Sequence, residues 1–142
     1  MYLRFAIAPV AFFLLGANQP VGTLDVAVER LRSQRGVLHL CLTGNPAHFP
    51  DCSSDPQALK RTVPAGGGPV RFQGIAPGGY ALSVFHDENR NGRLDTLLGI
   101  PREGFGFSRN PVIRFGAPRF GQVRIDLGPG FARQTVRMQY LL

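Results

Sequence analysis

The chain has 142 residues, among them 18 glycines, 12 prolines and two cysteines, and its 16 Lys and Arg against 9 Asp and Glu give a formal charge of +7. That length suits one domain with one core. The charge favours anionic surfaces, envelope glycolipid or peptidoglycan among them, through long-range attraction rather than a specific pocket. No aromatic-basic motif accompanies it, which argues against a nucleic-acid partner.

Met1-Tyr2-Leu3-Arg4, the apolar run Phe5 to Leu15 and then Gly16-Ala17-Asn18 make the three regions of a secretory signal, and the run is too short to span a bilayer. Residues 1–17 are therefore expected as a signal peptide and 18–142 as a single exported domain, periplasmic or extracellular, with no transmembrane segment after cleavage. No cysteine follows the cut, so no lipid anchor is expected there.

Period-two alternation then recurs along the chain, the mark of strands with one buried face. Leu24, Val26 and Val28 alternate with Asp25, Ala27 and Glu29, and after a turn at Gly36 Leu38, Leu40 and Leu42 alternate with His39 and Cys41. The same pattern returns at Val70 and Phe72, at Tyr80, Leu82 and Val84, at Val123, Ile125 and Leu127, and at Val136, Met138 and Tyr140. Gly-Pro clusters at 64–69, 76–79 and 128–130 supply the turns. The expected fold class is all-β, an antiparallel Greek-key β-sandwich of about seven strands. A single helical turn is expected over Ser54 to Lys60, opened by Pro56.

Cys41 and Cys52 enclose a turn-rich stretch with Gly44, Asn45, Pro46 and Pro50. In an exported chain this spacing reads as a disulfide, contributing about 2 to 3 kcal/mol. Metal ligation or thiol catalysis would call for Cys-x-x-Cys or a Cys/His cluster, and His39 and His48 stand apart from any such pattern.

The segment His86-Asp87-Glu88-Asn89-Arg90-Asn91-Gly92-Arg93-Leu94-Asp95 places oxygen-bearing side chains at alternate positions around a glycine. With Asp87 first, Asn89, Asn91, the Arg93 carbonyl and Asp95 fall where a calcium loop has ligands. The last ligand position holds Leu98 in place of the bidentate Glu of a helix-loop-helix site, and the nearest later carboxylate is Glu103. Two carboxylates beside Arg90 and Arg93 make a weak Ca2+ site, roughly 10⁻⁴ to 10⁻³ M. The competing reading is a type I′ hairpin turn at Asn91-Gly92, with Asp87 and Asn89 bonding locally to backbone.

From Leu97 to Arg119 there is little regular pattern, and a long ordered loop packed by its phenylalanines is expected. Within it Gly104-Phe105-Gly106-Phe107-Ser108 lacks the Gly-Lys-Ser/Thr ending of a phosphate cradle; its glycines let the backbone pass close to another segment while the two rings anchor it. His86, Asp87, Glu103 and Ser108 are the residue types of an acid, a base and a nucleophile, but no Gly-x-Ser-x-Gly elbow is present. The primary expectation is a non-enzymatic binding or structural module. A hydrolase or carbohydrate-active protein using His86 and the nearby carboxylates is the alternative.

The runs Gly74-Ile75-Ala76-Pro77-Gly78-Gly79-Tyr80-Ala81-Leu82, His86 to Asp95, and Gly99-Ile100-Pro101-Arg102-Glu103-Gly104-Phe105-Gly106-Phe107-Ser108 resemble the bacterial exported family called domain of unknown function 2141. The resemblance implies an exported β-sandwich similar to prealbumin-like and carboxypeptidase-regulatory-like modules, in which a Pro-Gly-x-Tyr turn precedes a central strand. It carries no established activity and no catalytic residues; the partner is left open, with an anionic envelope glycolipid or another envelope protein as candidates.

Overall fold

The computed structural model describes residues 16–142, so nearly all of the expected signal peptide lies outside the described residues. Ten strands follow in order: β1 (Gly22–Glu29), β2 (Val37–Thr43), β3 (Leu59–Pro64), β4 (Val70–Ile75), β5 (Gly78–Asp87), β6 (Thr96–Leu97), β7 (Ile100–Pro101), β8 (Gly104–Phe107), β9 (Ile125–Leu127) and β10 (Gly130–Arg137). One short 3-10 helix (Pro46–His48) follows β2, and one short α-helix, α1 (Phe120–Val123), precedes β9.

The alternation read from the sequence is what buries one face of each strand. A three-stranded sheet runs β10-β1-β4, and a five-stranded sheet runs β3-β2-β5-β8 with β9 beside the start of β5. Between them lies the core, in which Leu24 and Val26 of β1, Phe72 of β4 and Val136 of β10 meet Leu40 and Leu42 of β2 and Leu82 and Val84 of β5. Burying each such side chain stabilises the fold by about 1.5 to 3 kcal/mol before chain entropy is set against it. The chain is thus an all-β sandwich. One pairing departs from the antiparallel expectation: β1 and β10 run parallel, Gly22 opposite Gly130 through Glu29 opposite Arg137. Two strands from opposite ends of the chain need no hairpin between them, so nothing in the connections imposes an antiparallel pair.

Three local expectations are corrected. Residues 54–60 form turns rather than a helical turn, because Asp55 bonds the Thr43 hydroxyl at 2.6 Å and the Gln57 N–H at 2.9 Å. Leu59 and Lys60 already belong to β3, which pairs with β2 from Val37–Pro64 to Leu42–Leu59. Val123 belongs to α1 and not to the strand that follows. The stretch expected as a loop from 97 to 119 contains β7 and β8, and β8 completes the larger sheet because Gly104 and Gly106 let its inner face lie against the β10 side: a Cβ at Gly106 would stand 2.6 Å from Val136 Cγ1.

The start of β5 is fixed by the Pro77-Gly78-Gly79-Tyr80 turn, where the Tyr80 hydroxyl donates to the Ala76 carbonyl at 2.6 Å. This ties the corner on which the central strand enters the sheet, as the tyrosine corner does in other sandwiches. Among the described residues, no helix is long and apolar enough to cross a membrane.

Candidate functional site

In β2, β5 and β8 the even-numbered side chains enter the core, which leaves the odd-numbered ones on the outer face of the larger sheet. Strand register aligns them in two rows. Thr62, His39, Phe85 and Phe105 lie opposite one another across four strands, and Lys60, Cys41, Ser83 and Phe107 form the next row. Each of the eight lines a groove of about 740 Å³, walled by Pro50 to Ser53, by the 92–101 segment and by Ile113 with Gly116 and Ala117. A plain sandwich would leave this face to water; here three loops close round it.

The floor is graded. Toward β8 it is aromatic: Phe105 and Phe107 pack with Ala81, Val123, Phe49 and Phe120 in a second apolar cluster outside the sheet. Toward β3 it is polar and cationic, with Thr62 and Lys60, while Arg61, opposite Leu40 in register, turns inward over the Phe72 ring. His39 stands between, its ring stacked on Phe85 at 4.5 Å. Thr62 lies 3.0 Å from His39 Nδ1, and His39 Nε2 lies 3.0 Å from Asp87 Oδ2. Asp87 and the Thr62 hydroxyl thus occupy both ring nitrogens, and the imidazole is held as a fixed platform.

The Cys41–Cys52 disulfide expected from the sequence is present, with the two Cα atoms 6.5 Å apart. It fastens the Pro50–Ser53 wall to β2. Ser83 Oγ donates to the Pro50 carbonyl at 3.1 Å and Lys60 Nζ to that of Ser53 at 2.8 Å, which complete the attachment.

Asp87 joins the groove to the loop that the sequence marked as a calcium candidate. Its Oδ1 accepts from the Asn91 N–H at 3.0 Å and its Oδ2 from that of Gly92 at 2.8 Å. Burial alone would raise this carboxyl's pKa, but the bonds from His39 and from the Gly92 and Asn91 N–H groups outweigh burial and hold it below the ordinary value. Asn89 and Asn91 both turn their amides to Asp95, at 2.7 to 2.9 Å. The Arg93 N–H donates to Asn91 Oδ1 at 3.1 Å, which places that backbone in the same turn. The loop is thus closed by its own hydrogen bonds, and it is not the expected hairpin: Arg90 and Gly92 have positive φ while Asn91 does not, and the tight two-residue hairpin falls instead at Leu98-Gly99, between β6 and β7.

Glu103, the nearest carboxylate after the last ligand position, reaches the loop in space. Its Oε1 accepts from the Glu88 N–H and its Oε2 from that of Asp95, both at 3.1 Å, and the side chain is buried. Glu88 in turn accepts from Arg32, Ser33 and Arg35. Burial raises the Glu88 pKa, yet the bonds from Arg32 and Ser33 outweigh it and keep the carboxyl lowered. Among the described residues, no three His, Cys, Asp or Glu side chains are grouped as a metal site requires, so an ion here would rest on two carboxylates with amide and carbonyl oxygens.

The four residues of the enzymatic alternative do not meet in the groove. His86 is fully buried, with Nδ1 2.8 Å from the Tyr140 hydroxyl and Nε2 2.7 Å from the Arg35 carbonyl. Ser108 is buried too, donating to the Val123 carbonyl and accepting from the Leu82 N–H. His39 is the histidine that reaches the groove, and the sequence reading passed over it. Its odd-numbered place on β2, on the face of Cys41, was the available signal; that Phe85 and Thr62 flank it depends on register.

Fold and groove define a β-sandwich with a walled outer sheet face. The chain belongs to the family described as "Uncharacterized protein conserved in bacteria (DUF2141)", whose model matches residues 26–135. No curated protein and no solved structure matches the chain.

Proposed function

We propose that the domain is an exported binding module, periplasmic or extracellular, and that the groove on the outer face of the larger sheet takes an amphiphile. The apolar body lies on Phe85, Phe105 and Phe107, and a polar or anionic head lies toward Lys60. The observation that carries this reading is the graded floor: aromatic rings at one edge and the exposed Lys60 with Thr62 at the other, within one walled space. Such sites combine a mostly apolar lining with a few polar groups that orient the ligand. Export is supported by the charge-then-apolar N-terminal order and by the disulfide. A kinship with prealbumin-like and carboxypeptidase-regulatory-like modules is supported by the sandwich and by the Pro-Gly-x-Tyr corner.

A dansylated fatty acid, kept below its micelle concentration, tests the groove. Saturable blue-shifted emission is expected, weakened roughly tenfold or more by Phe85→Asp and by Lys60→Glu. Emission that stays linear with added protein, or is unchanged in both variants, sinks the reading.

The Asp87–Asp95 loop serves as a rigid wall support, and we propose that Ca2+ tightens it. The support for this is the spacing, which sets Asp87, Asn89, Asn91 and Asp95 at alternate positions round Gly92. A calcium titration of thermal stability decides it.

A further inference from the structure

Two loops line the groove, and each carries apolar side chains into water. Leu98, at the β6–β7 hairpin tip, is 94% exposed and has φ 51°. A non-glycine residue holds that left-handed conformation at a cost of about 1 kcal/mol, and turn chemistry favours Asn or Gly there. Leu97 and Ile100 flank it, half exposed. On the other loop Val112 is 80% and Phe115 96% exposed. Single apolar residues on a surface are ordinary, but five on two loops that rim one groove are not.

The charges of the stretch that holds these loops, residues 90–119, are as uneven as its apolar content. Arg90, Arg93, Arg102, Arg109, Arg114 and Arg119 are all exposed. None of them pairs with a carboxylate among the described residues, whereas Arg32, Arg35, Arg71, Arg124 and Arg137 each do. The two acids within the same span are already engaged: Glu103 is buried on backbone N–H groups and Asp95 holds the two asparagine amides.

We propose that the two rims form a docking surface for an anionic lipid bilayer, with Leu98 and Phe115 entering the headgroup boundary and the unpaired arginines meeting lipid phosphates. A basic residue near an anionic leaflet contributes about 1 kcal/mol. A few inserted apolar side chains add a comparable amount, and neither contribution alone holds a protein at a membrane. A nucleic acid would use the arginines and leave the leucine and valine in water; a bilayer uses both. This surface deepens the groove reading, since a groove between membrane-seated rims faces the source of an amphiphile.

Sedimentation with phosphatidylcholine vesicles, with and without about one third phosphatidylglycerol, tests the docking. The domain is expected on the anionic vesicles at low salt and not on the neutral ones. Binding should weaken roughly tenfold or more in Leu98→Ser/Phe115→Ser and in Arg93→Gln/Arg114→Gln, with circular dichroism unchanged in these exposed-site variants. Absence of retention on anionic vesicles overturns the proposal. So does retention equally strong in Leu98→Ser/Phe115→Ser, which would leave a purely electrostatic contact open to any polyanion. The dansylated fatty acid measured in parallel separates the two ideas: if it binds while vesicles do not, docking alone falls, and the reverse result removes the groove reading alone.

Discussion

At Gly106 one methyl group decides whether β8 and β10 can pack. A Cβ there would meet Val136 Cγ1 at 2.6 Å and Met138 Sδ at 3.1 Å, and Val136 is a fully buried β-branched side chain with little rotamer freedom. Gly106→Val is therefore expected to lower the unfolding free energy by about 1 to 3 kcal/mol, read from urea melts. Gly121→Ala, at a position with nothing within 4 Å of the added carbon, should leave it unchanged or slightly raised. At this scale the sequence was informative about role. The alternation of Gly104 and Gly106 with Phe105 and Phe107 signalled a close backbone approach on one face and aromatic anchoring on the other. Which segment approached was not legible, because that partner, the β10 region, lies some thirty residues further along.

The Asp87–Asp95 loop shows the same division at the scale of an element. Its ligand-like spacing was plain in the sequence, and so was the absence of a carboxylate at its last position. Glu103 could not be placed from spacing, since a side chain fifteen residues from Glu88 reaches that residue's N–H only once β7 and β8 have returned the chain. Asp87 likewise could be assigned to the loop but not to His39, which arrives from β2. If Ca2+ binds with the weak affinity such loops have, ten to a hundred times its Kd should stabilise the domain by about 1 to 3 kcal/mol. A differential scanning calorimetry series in calcium should then show a melting temperature that rises by a few degrees and saturates, with the rise absent in Asp95→Ala. No shift at several millimolar calcium would leave the loop held by hydrogen bonds alone.

Five carboxylates spread over the molecule are held in their charged form. Asp25 is lowered mainly by the Arg71 hydrogen bond, Asp51 by the Ser53 N–H and Asp55 by the Thr43 hydroxyl, and Asp87 and Glu88 are lowered despite burial. A carboxyl with a lower pKa folded than unfolded contributes stability that is complete above its unfolded value of roughly 4, and that is lost as pH falls through the folded value. The melting temperature should therefore hold from neutral pH down to about 5 and fall steeply below about 4. Asp87→Asn should melt lower at neutral pH and show a shallower acid limb; an acid limb as steep as the wild type's would mean that Asp87 takes no part.

The all-β class, the exposed cations and the disulfide pair follow from the chain alone, because alternation, charge and cysteine spacing act between near neighbours or without regard to topology. The pairing of β1 with β10 in parallel, the union of His39, Phe85 and Thr62 into one floor, and the arrival of Glu103 at a loop already left behind were decided by tertiary structure. Each depends on the register between strands distant in sequence, and register is settled by how two faces pack, which no local pattern records.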